Sequence, residues 1–424
     1  MRQNKNKSVV EDLVPELEVR PLAEVNEYYI DISNKFKTAK YSMLIILVVF
    51  VLSMISIFRS DITIENFKYL ARAFSTETMG YSEGYADIFY DTAGVVDLEV
   101  FNSSIVTVKT DEVSFYDMNG NNTENLEIDQ ISPTVVTQGK YMLVYDMNGY
   151  SFALFNNFSK LASETYEYPI SCAAVSEEGM YAVVTKSRNY QSIIYLYDHN
   201  YNLVTKIYRD KYISDVKIDE DGDKVLFTSF YAKDGKYISQ TETYTPYTKD
   251  EKKATATHIS ENSIAVTCDF FGNGGYSVLT NHSLIFFDKK DELISEFYLG
   301  NIVPNKCFIL EDKVVLAYNK NIIGSQTEMK VFSDKGKELF TLELEDKILD
   351  SAYNGNDLYL LLDTNKMVKI DLTNKKSPIF TEVDKGTNSI YLADEENLIA
   401  GYSNMARAYK LDEMFTQKKE ENKK

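Results

Sequence analysis

Ile170-Ser171-Cys172-Ala173-Ala174-Val175, Tyr181-Ala182-Val183-Val184-Thr185-Lys186, Ser192-Ile193-Ile194-Tyr195-Leu196-Tyr197 and Leu203-Val204-Thr205-Lys206-Ile207-Tyr208 are four short apolar runs that follow one another within 39 residues. Each is too short for a helix and rich in β-branched and aromatic side chains, which pack well on a pleated surface. The first two are joined by Ser176-Glu177-Glu178-Gly179, where Ser and Gly favour a turn. The reading is one four-stranded antiparallel unit. Its first strand would be innermost and its fourth outermost.

Working outward, the end of the third run recurs along the chain: an alternating strand that finishes in an aromatic and often an Asp. It appears as Val113-Ser114-Phe115-Tyr116-Asp117, Phe152-Ala153-Leu154-Phe155-Asn156, Ile194-Tyr195-Leu196-Tyr197-Asp198, Leu284-Ile285-Phe286-Phe287-Asp288 and Lys330-Val331-Phe332-Ser333-Asp334. Weaker copies end at Asp371 and Asp412, and a degenerate one lies near Ser239 to Thr243. Their intervals lie close to the ~40–45 residues of a four-stranded propeller blade. The fold class is therefore all-β, a β-propeller over residues 85–412. Eight blades are favoured, with seven as the alternative because two units are degenerate. The last unit lacks an outer strand, and Ala86-Asp87-Ile88-Phe89-Tyr90 is placed to supply it and close the ring.

Upstream, Tyr41 to Phe58 is a run of 18 residues without a charge. As a helix it measures roughly 27 Å, near the ~30 Å hydrocarbon core of a bilayer. An uncleaved single transmembrane helix at 41–58 is expected, since a long stretch precedes it and no A-x-A-like cleavage site follows. Lys35, Lys37 and Lys40 crowd its N-terminal edge against Arg59 alone on the other side, which places residues 1–40 in the cytoplasm and the propeller outside. Residues 1–40 read as a flexible cytoplasmic segment. Residues 59–84 read as an amphipathic stalk, with Phe67, Leu70, Ala71 and Phe74 on one side. Residues 413–424 read as a frayed charged tail.

Composition narrows the function. With 64 acidic and 45 basic residues the chain carries −19 and a pI near 4.8, which excludes a nucleic-acid binder. The N-terminal 40 residues balance, so nearly all of that charge sits on the propeller. His199, His258 and His282 fall in different units, so no metal site and no nucleophile–base pair is expected. Asp219-Glu220-Asp221-Gly222-Asp223 lacks the ligand spacing of a calcium loop and stands where the unit needs a turn. Cys172, Cys268 and Cys307 read as buried thiols, with one disulfide as the alternative. Trp is absent, against propeller classes that depend on it. No catalytic residue, cofactor or metal is indicated, although carboxylates near the channel leave a carbohydrate-active enzyme open.

Loop length points to binding. Ser187-Arg188-Asn189-Tyr190-Gln191 and Tyr231-Ala232-Lys233-Asp234-Gly235-Lys236-Tyr237, between second and third strands of neighbouring units, are long and rich in Tyr and cations. Asn319 to Gln326 is a third long loop. Aromatics contribute contact area at low entropic cost. The candidate binding face is Arg188, Asn189, Tyr190, Tyr231, Lys233 and Tyr237. Phe270-Phe271-Gly272-Asn273-Gly274-Gly275 reads as a tight turn needing positive φ, its two Phe either core or patch.

The chain also resembles the single-pass, membrane-anchored propeller proteins of low-GC Gram-positive bacteria that are grouped as a domain of unknown function. The residues that carry this are the helix followed by Thr63-Ile64-Glu65-Asn66-Phe67, the phrase Val144-Tyr145-Asp146 with Gly149, and Ile170–Val175 with Gly179 and Ala182–Thr185. The resemblance implies an envelope protein and supplies no catalytic residues. The expected function is a membrane-tethered, non-enzymatic binding or scaffold module with an envelope protein as partner. The alternatives are an extracytoplasmic sensor signalling through its helix and a carbohydrate-active propeller enzyme.

Overall fold

Alternation along each run becomes a two-sided strand, and each side packs against a different neighbour. In the four-stranded unit over residues 133–165, Met142, Val144, Ala153 and Phe155 pack against the preceding unit (97–127), whereas Leu143, Tyr145, Phe152 and Leu154 pack against the following one (170–209). The structure is a computed structural model describing residues 22–57, 85–246, 256–320, 326–373 and 377–416. The chain divides into two compact units, Met1–Leu70 and Ala71–Lys424.

The second unit is an eight-bladed propeller. After β1 (Tyr85–Ile88), four consecutive strands make each blade: β2–β5 over Asp97–Glu127, β6–β9 over Pro133–Thr165, β10–β13 over Ile170–Arg209 and β14–β17 over Tyr212–Glu261. Blades 5 to 7 are β18–β21 over Ala265–Tyr298, β22–β25 over Pro304–Leu344 and β26–β29 over Ile348–Glu382. Blade 8 has β30–β32 over Ser389–Lys410, and β1 pairs antiparallel with β32, from Tyr85↔Tyr409 to Ile88↔Ala406. The ring is closed by the first strand of the propeller, and the eight-blade reading holds. The four strands read in the third unit match β10 to β13 to within one residue.

The core is a set of clusters between blades rather than one central mass. Val106, Phe115 and Phe155 join blades 1 and 2; Val184, Ile194, Val216 and Phe227 join blades 3 and 4; Ile88, Ile105, Tyr116, Ile399 and Ala406 join blades 8 and 1. Each fully buried Val, Leu, Ile or Phe contributes about 1.5–3 kcal/mol. The recurring Asp has a local reason. Asp117, Asp198 and Asp288 each accept the backbone N–H groups two and four residues on, at 2.8–2.9 Å, so the carboxylate closes the turn between third and fourth strands.

First strands of neighbouring blades lie side by side, which makes them innermost. In blades 3 to 7 each has a bulge near its start, between Ile170/Cys172, Ile213/Asp215, Ala265/Thr267, Pro304/Lys306 and Ile348/Asp350. A bulge re-aims the side chain that follows it. Two of these positions staple blades: Asp215 accepts Cys268 N–H at 3.1 Å and Thr267 Oγ1–H at 2.9 Å, and Asp350 accepts Ile390 N–H at 2.8 Å.

In the first unit, α1 (Leu22–Ile57) is 36 residues long, and Tyr29–Ser53 within it is long and apolar enough to cross a membrane. Of the segment 1–40, residues 22–40 are helical, because the helix of the apolar run continues N-terminally without a Gly or Pro to stop it, and residues 1–21 lie outside the described residues. The stalk at 59–84 lies outside the described residues. The tail begins as α2 (Leu411–Thr416), in which Met414 and Phe415 pack on blade 7, with the Phe415 ring 5.7 Å from that of Tyr359. Apolar burial at those two positions holds what charge alone would leave frayed.

Candidate protein-binding face

Antiparallel order puts the blade-to-blade connections and the second-to-third-strand turns at one end of the propeller. The remaining turns lie at the other. At the first end, blades 3 and 4 carry most of the candidate residues. Arg188, Asn189 and Tyr190 are exposed on the loop between β11 (Tyr181–Lys186) and β12 (Ser192–Tyr197), and the Tyr190 ring sits 4.9 Å from that of Tyr208.

The stretch Tyr231–Tyr237 is not a loop. It is the end of a hairpin of β15 (Val225–Lys233) and β16 (Lys236–Tyr244), paired as Tyr231↔Ile238, Ala232↔Tyr237 and Lys233↔Lys236. Asp234 (φ 50°) and Gly235 (φ 73°) make its two-residue turn, the mirror-image type that matches strand twist. The outer strand β17 (Ala256–Glu261) reaches only to Ile238, so the tip projects as a two-stranded ribbon. Lys233 and Tyr237 are exposed on it, and Tyr231 is half-buried. Of the third long loop, residues 321–325 lie outside the described residues.

A polar bridge links the two parts. Arg209 is held by Glu242 through contacts of 3.0–3.2 Å, and donates to the Tyr208 carbonyl at 2.9 Å. Lys211 donates to Gln240 Oε1 at 2.5 Å, and its ammonium lies 5.2 Å from the centre of the Tyr231 ring. Tyr212 stacks on Phe230 at 5.7 Å. The sequence reading missed Tyr208, Lys211 and Tyr212, which lie at the edge-to-core passage between blades. Their signal was Tyr208-Arg209-Asp210-Lys211-Tyr212, a connection too rich in Tyr and cations for a plain linker.

The opposite end is acidic. A cavity of about 430 Å³ at the channel mouth is lined by Lys217, Asp219, Glu220, Asp269, Asn273 and Glu311, among others. Burial raises the Asp219 and Glu220 carboxyls, with neighbouring carboxylates adding to it. Burial opposes the Lys217 charge, but Asp269 at 3.2 Å and Asp215 outweigh it and hold the ammonium above its ordinary range. Asp219 accepts Lys224 N–H at 2.8 Å and Gly222 has φ 77°, so the acidic run forms the turn expected of it. Phe271 is core, stacked on Phe286 at 6.4 Å, and of the adjoining glycines only Gly274 needs positive φ.

Within the channel, β2 (Asp97–Phe101) carries Asp97 and Glu99, and β26 (Ile348–Asn354) carries Asp350. Burial, then Asp97 and Asp350, push the Glu99 carboxyl up to about 7. Among the described residues no group of three His, Cys, Asp or Glu side chains forms a metal cradle. Cys172, Cys268 and Cys307 are free thiols, Cys268 buried and the other two half-buried, so the disulfide alternative is not realised. Burial pushes the Cys172 and Cys307 thiols up to about 12, which keeps them unreactive.

The sequence profile of a family of unknown function, DUF5711, matches residues 87–397. The chain belongs to that family. It is also 26% identical over 243 residues to Cytotoxin-L of Paraclostridium sordellii, a match that takes in 55% of this chain and 10% of the toxin. A further Cytotoxin-L sequence matches at 25% over the same length, again across 10% of the toxin. Among solved structures, BamB from Moraxella catarrhalis superposes with a TM-score of 0.52 at 11% identity, over 74% of this chain and 96% of that one. Sqt1 of Saccharomyces cerevisiae gives 0.56 at 8% over 77% and 98%, and the computationally designed Ika8 protein gives 0.55 at 12% over 77% and 100%. At such identities the likeness is one of fold.

Proposed function

We propose that this chain is a protein-binding module tethered to the cytoplasmic membrane by α1, with its propeller outside the cytoplasm. The observation that carries the reading is the patch of exposed Tyr and cationic side chains on blades 3 and 4, Arg188, Tyr190, Tyr208, Tyr212, Lys233 and Tyr237, joined by the half-buried Lys211, on an otherwise acidic domain. Tyr and Arg are the side chains that dominate binding energy at protein interfaces. β1 begins at the end of the propeller opposite this patch. The cations Lys35, Lys37 and Lys40 support the orientation.

The test is a photo-crosslinker placed at Tyr190 or Tyr237 of the full chain in native membranes. A discrete adduct with one envelope protein is expected, and Tyr190→Ala combined with Lys233→Glu should reduce that adduct at Tyr237 by at least about tenfold. A blank at both positions, or an adduct indifferent to the substitutions, refutes the reading. One observation favours a second reading, a sensor: α1 is unbroken from Leu22 to Ile57, so movement at one end is carried rigidly to the other. Deleting residues 1–34 separates the two, because a sensor loses its output and an anchored scaffold keeps its partner.

A further inference from the structure

The connection from blade 1 to blade 2 and the outer strands β8 (Ser151–Phe155) and β9 (Lys160–Thr165) border a cavity of about 640 Å³, at the same end of the propeller as Arg188 and Tyr190. One wall is held by Asp146, whose Oδ1 accepts the N–H groups of Ile131 and Ser132 at 3.1 and 2.7 Å. A Cβ on Gly149 would collide with the Asp146 carboxylate, so the glycine leaves room for the group that fixes this wall. Gln130 lines the cavity and is only 4% exposed. Its main-chain N–H donates to the Thr110 carbonyl at 2.9 Å and its Nε2 to the Val144 carbonyl at 3.0 Å, which pins the amide in one orientation. Its Oε1 has no partner. A buried acceptor without a donor is costly, and folded proteins leave few of them.

The other polar groups around this cavity also call for donors. Glu127, Asp129 and Glu164 bring exposed carboxylates to it, and Tyr197 orients Glu164 by donating its hydroxyl to Oε2 at 2.5 Å. Lys160, the one cation of the lining among the described residues, already gives its ammonium to the Glu127 carbonyl at 2.9 Å. Tyr150, half exposed, adds an aromatic ring. A guanidinium matches this set: it is planar, carries five N–H donors and no acceptor, pairs with carboxylates and stacks on aromatic rings. An ammonium is a more strongly hydrated point charge and the poorer occupant. We propose that the cavity takes the side chain of an arginine from the partner protein, an inference that rests on this end of the propeller being the binding face. The net negative charge of the chain favours such a cation, and Arg is among the residues enriched at interface hot spots.

The test is calorimetric titration of the full chain in detergent micelles with N-acetyl-arginine amide, and with the citrulline analogue, in which an oxygen replaces one guanidinium nitrogen and the charge is lost. The arginine probe should bind at least about tenfold more tightly than the citrulline one, and Gln130→Met and Glu164→Gln should each weaken it at least about fivefold. Glu164 is exposed, so its variant keeps the test open if Gln130→Met fails to fold. No binding of the arginine probe, equal binding of the two probes, or binding indifferent to the substitutions overturns the pocket. Crosslinking from Tyr190 and Tyr237 in native membranes separates the two failures. An adduct that forms while the arginine probe does not bind rejects the pocket alone. Specific binding of the probe with no adduct at either position rejects the protein partner, and with it the source of the arginine.

Discussion

Glu99 shows what single residues can and cannot announce. Its carboxyl is raised from 4.5 to about 7 by burial and by Asp97 and Asp350. Below about pH 4.5 both folded and unfolded chains hold this proton, so the group is neutral to stability. As pH rises toward 7 the unfolded chain releases the proton first, and the folded state loses up to about 3 kcal/mol relative to acid. Glu99→Gln should remove that loss, giving a higher urea midpoint at pH 8 and an unchanged one below about pH 4. A variant equally unstable at both pH values would mean Glu99 is held ionised. The site was not legible because residues 97–99 and 350 meet only once the ring has closed. By contrast Asp117, Asp198 and Asp288 were legible, since their partners are two and four residues away.

Elements were legible where their signal was local and periodic, as in β10 to β13. The hairpin tip at Tyr231–Tyr237 was misread because its polar exposed residues break the alternation, although Asp234-Gly235 is a strong two-residue turn signal. Turns also give a clean comparison of backbone and packing costs. Gly300 (φ 58°) has nothing within 4 Å of where a Cβ would stand, whereas a Cβ on Gly336 (φ 73°) would lie 2.0 Å from Ser295 Oγ and 2.6 Å from Phe286 Cδ2. Gly300→Ala should therefore cost only the left-handed backbone penalty, about 1–2 kcal/mol. Gly336→Ala should add about 1–3 kcal/mol of overpacking against blade 5. Urea melts of the two variants check this, and equal midpoints would mean that blade 6 does not press on blade 5 through this turn.

At the scale of the molecule, ring closure was legible because the last unit visibly lacked an outer strand and a spare one stood at the start. Its energetics rest on few groups. Ile88 is fully buried between blades 8 and 1, Arg407 pairs with Asp87 at 2.5 Å and also with Asp384, and the Tyr85 and Tyr409 rings lie 6.4 Å apart. A propeller beginning at residue 85 keeps all of these, and one beginning at residue 93 loses those that β1 supplies. Burial of Ile88 and the cross-strand pairs together contribute about 3–5 kcal/mol, a third or more of an ordinary domain's stability. The shorter propeller should therefore melt at lower urea and, with the edge of β32 bare, sediment as oligomers. Adding a peptide of residues 82–93 should restore the monomer and much of the lost midpoint. Identical melts with and without residues 85–92 would show that blade 8 is stable with three strands and that the ring is not fastened by its own beginning.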